Sequence, residues 1–316
     1  MSDNYKQLEL SVVASIYNSE KIIPVLVESL IFVLEKLCIT YEVILIDDGS
    51  RDNSAFILER ESKKNLKVKS IILSRNFGQQ IAMTAGIHYA SGKYVLIMDG
   101  DLQNPPESIP DLYNKIKEGF DIVYATSTVK NNFLDGVTSR VFWKVLKSIM
   151  KVDIPESQLM MRLMTSKVVN FYRMYPEKIR TVAAIVHDIG MNTAIIQVDN
   201  KRRHSGKSNY NIFKRLDLAV DVFLDFSSNP LKIIFNLGIL IFFCNAIMAS
   251  YFIFMYSQGK VLPGFTSMIL AVMFFGSLIL VSIGILARYV ANIYAEVKRR
   301  PLFIVRRFIN LTETKD

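Results

Sequence analysis

Cysteine and histidine are both scarce in this sequence of 316 residues, which contains two cysteines and three histidines. The cysteines are Cys38 and Cys244, and the second lies in a long apolar run, so neither a disulfide framework nor a cysteine metal site is available. The histidines, His88, His187 and His204, are too scattered to indicate a zinc site. The chemistry of this protein must therefore come from other residue types.

Glycine-rich phosphate-binding motifs and a signal sequence are also missing. No G-x-G-x-x-G follows the first predicted strand and the chain has no G-x-x-x-x-G-K-[ST], which argues against dinucleotide-dependent and P-loop enzymes. A phosphorylated ligand would instead be held by a metal ion and by side-chain cations. The opening residues, MSDNYKQLEL, lack the charged-then-apolar pattern of a secretory signal.

Apolar residues, in contrast, are abundant: they make up 51% of the chain, with a mean hydropathy of +0.26. That composition is too apolar for a purely soluble protein. Residues 233–256 and 261–287 carry no formal charge, and roughly 20 helical residues cross the ~30 Å hydrocarbon layer of a membrane. We therefore predict two transmembrane helices, at about 233–256 and 262–287, joined by a short tip that ends at Lys260.

Basic residues indicate the orientation of this hairpin, because cytoplasmic loops carry an excess of lysine and arginine. Only Lys260 lies at the tip, whereas the outer ends carry Lys232, Arg288, Lys298, Arg299, Arg300, Arg306 and Arg307. The large domain is therefore expected in the cytoplasm, on the inner face of the cell membrane. Much of the net charge of +9 clusters near the apolar segments, where it would meet anionic headgroups, so a nucleic-acid partner is not expected.

The first part of the chain alternates short β-branched runs with helical patterns, which predicts an α/β fold with a mainly parallel sheet. Predicted strands cover residues 9–15, 42–46, 69–73, 94–98, 121–124 and 194–198, and residues 126–175 look mostly helical. We expect a catalytic domain at 1–210, an amphipathic interface helix at 211–230, the two membrane helices within 231–290 and a basic cytoplasmic tail at 291–316. A helix that packs against a protein core would show the same pattern as the interface helix.

Acidic residues follow two of the predicted strands, in ILIDDGSRDNS and VLIMDGDLQNPP. Ligands of open α/β sheets bind beyond the carboxyl ends of the strands, where Asp47, Asp48, Asp99 and Asp101 fall. Two close carboxylates repel each other unless a cation lies between them, and oxygen ligands favour Mg²⁺ or Mn²⁺. The alternative is a solvated turn broken by Asn104 and the prolines that follow it.

The earlier acidic segment has two interpretations as well. It is either a strand-ending turn or a pair of carboxylates that accept hydrogen bonds from a base edge and from ribose hydroxyls. Arg75, in LSRNFGQQ just after the third strand, is either a phosphate ligand at the same edge of the sheet or a surface arginine.

Taken together, these segments resemble family-2 glycosyltransferases of the GT-A fold, in particular the polyprenyl-phosphate sugar transferases. The resemblance is carried by SVVASIYNSE, LIDDGSRDNS, LSRNFGQQIAMTAGIHYASGKYVLIMDGDLQNPP, RLMTSKVV, RHSGKSNY, DFSSNPLK and RYVANIYAEVKRRPLFIV, which span nearly the whole chain. It implies a GT-A domain that transfers one sugar, with inversion, from a nucleotide sugar to undecaprenyl or another polyprenyl phosphate. A UDP-sugar, such as UDP-glucose, is expected rather than a GDP-sugar.

The resemblance also implies roles for individual residues. The positions matching the nucleotide base and ribose are Tyr17, Asn18, Glu20, Asp47 and Asp48. Asp99, Asp101 and Gln103 match the metal site, with Asp99 also facing the donor, and Arg75, Arg203 and Lys207 match cations near the phosphates. The acceptor phosphate is assigned to Ser139 with its neighbour Arg140, to Lys130 and to Arg162, the last of which could equally be a structural ion-pair partner.

Three positions depart from the family pattern. Ser15 stands where a proline is common in the family. The segment ATSTVK, after the fifth strand, lacks the arginine that the family often has there, and Lys130 would take its place. A lysine cannot make the two parallel hydrogen bonds of an arginine. Met160 stands where the family commonly has an acidic residue, so an aspartate role cannot be carried over.

The chemistry of such a transfer agrees with these assignments. A metal that bridges the leaving diphosphate stabilises it as a Lewis acid, and Arg203 and Lys207 can cover the remaining charge. The acceptor is already a phosphate anion, so no dedicated general base is required. A mobile basic loop at 201–210 could exclude water once substrate is bound.

Other functions remain open at this point. A processive polysaccharide synthase would share the nucleotide-binding half, but such chains usually carry Q-x-x-R-W, and the single tryptophan here, Trp143, lies in SRVFWK. A membrane-tethered nucleotide-sugar-binding protein would not need leaving-group stabilisation, and a transporter would need a polar path that two uncharged spans do not offer. A homo-oligomer is consistent with the small packing surface of a lone hairpin.

Overall fold

The computed structural model describes residues 8–127, 158–176, 181–198 and 264–311, together with the single residues 247, 254 and 258. The chain divides into two compact units. The first consists of Met1–Asn209 and Pro301–Asp316, and the second of Tyr210–Arg300. The candidate site described below lies entirely within the first unit.

The first unit alternates strands and helices. Its strands are β1 (Leu10–Ile16), β2 (Tyr41–Asp47), β3 (Val68–Leu73), β4 (Tyr94–Asp99), β5 (Ile122–Ser127), β6 (Gln158–Thr165), β7 (Thr193–Val198) and β8 (Val305–Ile309). Its helices are α1 (Ile23–Lys36), α2 (Ser54–Lys64), α3 (Gln79–Tyr89), α4 (Ile109–Ile116), α5 (Ser166–Met174) and α6 (Val182–Asp188). In the second unit, α7 covers Phe265–Val297.

The strands form one sheet in the order β7-β5-β6-β4-β1-β2-β3-β8. The pairs β1 with β2, β1 with β4, β2 with β3, and β5 with β7 are parallel, whereas β6 and β8 run antiparallel to their neighbours. The predicted α/β fold with a mainly parallel sheet is therefore confirmed, and each predicted strand corresponds to an observed one within a few residues.

Helices cover both faces of the sheet, which explains why its central strands are apolar runs rather than alternating patterns. One core cluster joins α1 and α4 to inward residues of β1 such as Val12 and Ala14. The other joins α3, α5 and α6 to the opposite face, where Val13 and Ile44 point. With both faces buried, the only open positions on these strands are their ends.

The prediction of mostly helical structure for residues 126–175 is wrong at Gln158–Thr165, which form strand β6 between β4 and β5. Met161 and Leu163 pack on one face of the sheet, while Met164 packs on the other. A strand that is buried on both faces shows no polar–apolar alternation, so QLMMRLMT carries no period-2 signal that sequence reasoning could detect.

The predicted basic tail at 291–316 contains an edge strand. Val305–Ile309 pair antiparallel with β3, and Asn310 Nδ2 donates to the carbonyl oxygens of Ser62 and Val68, at 2.6 and 2.8 Å. Arg307 pairs with Glu59 at 2.9 Å. These residues return to the first unit after the chain has passed through the second.

Helix α7 begins at Phe265 and ends at Val297, so it covers most of the second predicted membrane span and continues beyond it. Among the helices of the described ranges, none combines the length and apolar character that crossing a membrane requires. The predicted interface helix at 211–230 lies outside the described residues. So does the first predicted span at 233–256, apart from Ile247 and Phe254.

Candidate active site

A cavity of about 420 Å³ opens at the carboxyl ends of β1, β2 and β4. These three strands are parallel neighbours in register, with Ile16 opposite Asp47 and Ser15 opposite Asp99. Because parallel strands end at the same edge, the residues that follow each strand meet there. The residues lining the cavity include Tyr17, Asp48, Gln79, Asp99, Asp101 and Gln103.

Asp99, the last residue of β4, is held by two side-chain amides. Gln79 Nε2 donates to its Oδ1 at 2.6 Å, and Asn104 Nδ2 donates to its Oδ2 at 3.2 Å. Burial and the negative charge of Asp101 raise the pKa of Asp99 to about 6, although both amides and the charge of Arg162 oppose this rise. The carboxylate pair is therefore under electrostatic strain that a bound cation would relieve.

Asp101 and Gln103 lie in the turn after β4. One carboxylate oxygen of Asp101 accepts a hydrogen bond from the backbone N–H of Gln103 at 3.1 Å. The Gln103 carboxamide nitrogen is buried and has no hydrogen-bond partner among the described residues. The nitrogen and oxygen of a side-chain amide are assigned from their hydrogen-bond surroundings. With the opposite assignment, the carbonyl oxygen of Gln103 would occupy this position.

These donors fit a hard divalent cation. Asp99 and Asp101 offer carboxylate oxygens and Gln103 an amide oxygen, and Mg²⁺ is usually bound by one or two carboxylates plus substrate phosphates. No cluster of three or more histidine, cysteine, aspartate or glutamate residues suited to a metal occurs in the described ranges. Mg²⁺ that is held by few protein oxygens keeps bound waters or takes oxygens of a phosphorylated ligand.

Asp48 lines the cavity, but both of its oxygens are engaged by the protein. The backbone N–H groups of Phe77 and Gly78 donate to Oδ1 and Oδ2, at 2.7 and 2.9 Å. Burial raises the pKa of Asp48, and these two hydrogen bonds oppose that rise. Asp48 thus anchors the loop between β3 and α3.

Asp47 is not among the residues that line the cavity. It is buried, and both of its oxygens face the backbone N–H of Ser50 at 3.3 Å. Burial raises its pKa, while Ser50 opposes the rise. The geometry shows this carboxylate shaping its own turn.

The loop after β1 is joined to the loop after β2 by several hydrogen bonds. Asn18 Oδ1 accepts the Arg51 N–H at 2.9 Å, and Glu20 Oε2 accepts from the backbone and side chain of Asn53 at 3.2 and 3.0 Å. Tyr17, by contrast, is exposed and faces the cavity. Of these three predicted nucleotide-binding residues, only Tyr17 is among the residues that line the cavity.

Two predicted cations occupy different environments. Arg75 is exposed and stacks on the ring of Phe77 at 4.3 Å, outside the cavity lining. Arg162 is only 1% exposed. Its Nε donates to the Met160 carbonyl oxygen at 3.2 Å, and its Nη1 has no hydrogen-bond partner among the described residues. Burial lowers the pKa of Arg162, and the charges of Tyr124 and Asp99 oppose this shift.

The other predicted site residues, Lys130, Ser139, Arg140, Arg203 and Lys207, lie outside the described residues. Gln79 and Asn104, the amide partners of Asp99, were not among the predicted site residues. Their only sequence signal was their position: Gln79 follows the glycine after β3, and Asn104 stands next to the prolines that close the acidic turn.

Comparison with known proteins identifies the family. The model of glycosyl transferase family 2 matches residues 11–169. The chain is 37% identical over 301 residues to the glycosyltransferase sll0501 of Synechocystis sp., covering 94% of this chain and 95% of that protein. It is 30% identical over 319 residues to the undecaprenyl-phosphate 4-deoxy-4-formamido-L-arabinose transferase of Pectobacterium atrosepticum, covering 98% and 96%. It is 29% identical over 303 residues to the bactoprenol glucosyl transferase of Shigella phage SfII, covering 95% and 98%. The acidic cavity lies at the carboxyl ends of a mainly parallel sheet, and the matches extend along the whole chain. This protein is therefore a glycosyltransferase of family 2.

Proposed function

We propose that this glycosyltransferase transfers a single sugar from a nucleotide sugar, preferably a UDP-sugar, to undecaprenyl or another polyprenyl phosphate, with inversion at the anomeric carbon. The observation that carries this proposal is the extent of the matches. Relatives whose names specify undecaprenyl phosphate or bactoprenol align over 98% and 95% of this chain, whereas the family model ends at residue 169. A relative that shared only the sugar-donor half would not align beyond that point.

The cavity supports this proposal chemically. Asp99, Asp101 and Gln103 would hold Mg²⁺ or Mn²⁺ at the edge of the sheet, and the bound ion would supply Lewis-acid stabilisation of the leaving nucleoside diphosphate. Tyr17, exposed at the rim, offers a ring against which a nucleotide base can stack. Asp48 keeps the opposite loop in place through two backbone amides. Arg203 and Lys207 are proposed to neutralise the remaining phosphate charge.

The acceptor simplifies the reaction. A phosphate monoester already carries negative charge at neutral pH, so its oxygen can attack the anomeric carbon without a dedicated general base. This agrees with Met160, which stands where the family commonly has an acidic residue and whose thioether cannot accept a proton in that role. The residues of the donor site then have to orient the sugar and exclude water, which would otherwise compete as the acceptor.

We also propose that residues 233–256 and 262–287 anchor the protein in the cytoplasmic membrane with the catalytic unit inside. The uncharged runs and the basic residues that flank their outer ends support this arrangement. Anchoring keeps the donor site near the acceptor headgroup and so raises its effective concentration. A cysteine introduced at Gln258 should react with an impermeant thiol reagent from outside the cell, and exclusive labelling from inside would refute the orientation.

The transfer itself is tested with membranes that contain the full chain, a radiolabelled UDP-sugar panel and undecaprenyl phosphate. We expect a chloroform-soluble labelled product that disappears with EDTA and returns with Mg²⁺ or Mn²⁺. Asp101→Asn should abolish it, while Asp111→Asn, at an exposed position on α4, should not. Label found only in polymer would indicate a processive synthase instead, and tight donor binding without product would indicate a binding protein.

A further inference from the structure

Asp99 lines the acidic cavity, and its two carboxylate oxygens accept hydrogen bonds from different parts of the chain. Asn104, only 1% exposed, donates to Oδ2 from within the same turn. Gln79, the first residue of α3, donates to Oδ1 at 2.6 Å. We propose that Gln79 is a positioning residue, which orients Asp99 for the divalent cation. This inference rests on the proposed function, because that function supplies the cation.

The backbone around Gln79 is built to aim this side chain. Gly78 precedes it with φ +94°, a conformation that favours glycine, and α3 begins immediately afterwards. Asp48 fixes the same point by accepting the N–H groups of Phe77 and Gly78. Asp48, directly after β2, therefore fixes the start of α3. Gln79, at that start, donates a hydrogen bond to Asp99 at the end of β4.

The hydrogen bond and a cation can share Asp99. Each carboxylate oxygen has two lone pairs, so Oδ1 can accept the N–H of Gln79 and still coordinate a metal. An amide donor is also neutral, so it steadies Asp99 against its repulsive neighbour Asp101 without competing electrostatically with the incoming ion. Hydrogen-bond partners of metal ligands typically contribute about 10- to 100-fold to metal affinity or activity.

Gln80 provides a matched control from the neighbouring position. It is the same residue type, but its Oε1 accepts the N–H of Val182 at 2.9 Å, at the start of α6. Its contact is therefore with the scaffold and not with the acidic pair. A residue that merely supports the fold should behave like Gln80, whereas a positioning residue should change the binding of the metal.

The experiment measures Mn²⁺ binding directly, by electron paramagnetic resonance titration of the purified full-length chain with saturating UDP. Gln79→Met keeps the length of the side chain and removes the donor, and Gln79→Ala, at the same exposed position, repeats the test without the methionine sulfur. We expect both variants to bind Mn²⁺ roughly tenfold or more weakly than the wild type. Their thermal unfolding should stay close to that of the wild type, and Gln80→Met should bind Mn²⁺ within twofold of it.

Two outcomes would overturn the inference, and they are distinguishable. If both Gln79 variants bind Mn²⁺ as the wild type does while Asp101→Asn loses it, the metal site stands and Gln79 does not position it. If the wild type itself does not bind Mn²⁺, or if Asp101→Asn binds it unchanged, the metal assignment in the proposed function fails and this inference fails with it.

Discussion

Asp48 offers a sharp test of how the site is held together, because its carboxylate is only 2% exposed and accepts two backbone N–H groups. Hydrogen bonds to a charged group contribute about 1.5–3 kcal/mol each, and buried donors left unpaired cost a comparable amount. Burying the charged carboxylate costs free energy, as its raised pKa indicates, and this cost offsets part of the stabilisation from the two hydrogen bonds. We expect Asp48→Ala to lower the free energy of unfolding by about 4 kcal/mol. Asp48→Asn, whose NH₂ group would face one of the two donors, should lower it by about 2 kcal/mol.

Denaturant unfolding of the detergent-solubilised chain would measure these losses, and hydrogen exchange would show where they arise. The amides of Phe77 and Gly78 should lose protection first, since they are the donors. Asp111→Asn, an exposed carboxylate in the first turn of α4, should change stability by less than about 1 kcal/mol. If Asp48→Asn leaves stability and the exchange of these two amides unchanged but weakens nucleotide binding, then Asp48 acts on the ligand and the anchoring argument is wrong.

Three further predictions concern the scaffold around the site. Gly49→Ala should destabilise the protein by about 2 kcal/mol or more in denaturant unfolding, because Gly49 has φ +66° and a Cβ there would lie 2.3 Å from the carbonyl carbon of Arg75; an unaffected midpoint would contradict this. Burial raises the pKa of Glu42, but hydrogen bonds from Lys69 and from two serines outweigh it and lower the pKa below the ordinary value of 4.5. Ionised Glu42 therefore stabilises the folded state above pH 4.5, and this stabilisation is lost as the pH falls through the lower pKa of the folded state. In denaturant unfolding at a series of pH values, the free energy of unfolding should decline less steeply with acid for Glu42→Gln than for the wild type. Asn310→Ala should lower the free energy of unfolding by about 1 kcal/mol and speed hydrogen exchange only in α2, β3 and β8; uniform acceleration across the sheet would instead indicate global destabilisation.

Local patterns were enough to predict the central sheet and the position of its acidic edge. The apolar runs of β1, β2 and β4 are each followed directly by a polar turn, and parallel strands must end at a common edge. Strand β6 was not predictable in this way, because burial on both faces removes the alternation that identifies a strand. Strand β8 was hidden for another reason: its partner β3 lies more than 200 residues earlier in the chain, and no local pattern encodes such a pairing.

The sequence by itself determined where the candidate site lies, since the order of residues places carboxylates and Tyr17 directly after strands that are predicted to be parallel. The tertiary structure decided which of these groups face the cavity. It directs Asp48 to two backbone amides 29 and 30 residues away and joins Gln79 to Asp99 across 20 residues. Hydrogen bonds between distant segments depend on how loops from different strands pack at one edge, and that packing is a property of the folded chain rather than of any local pattern.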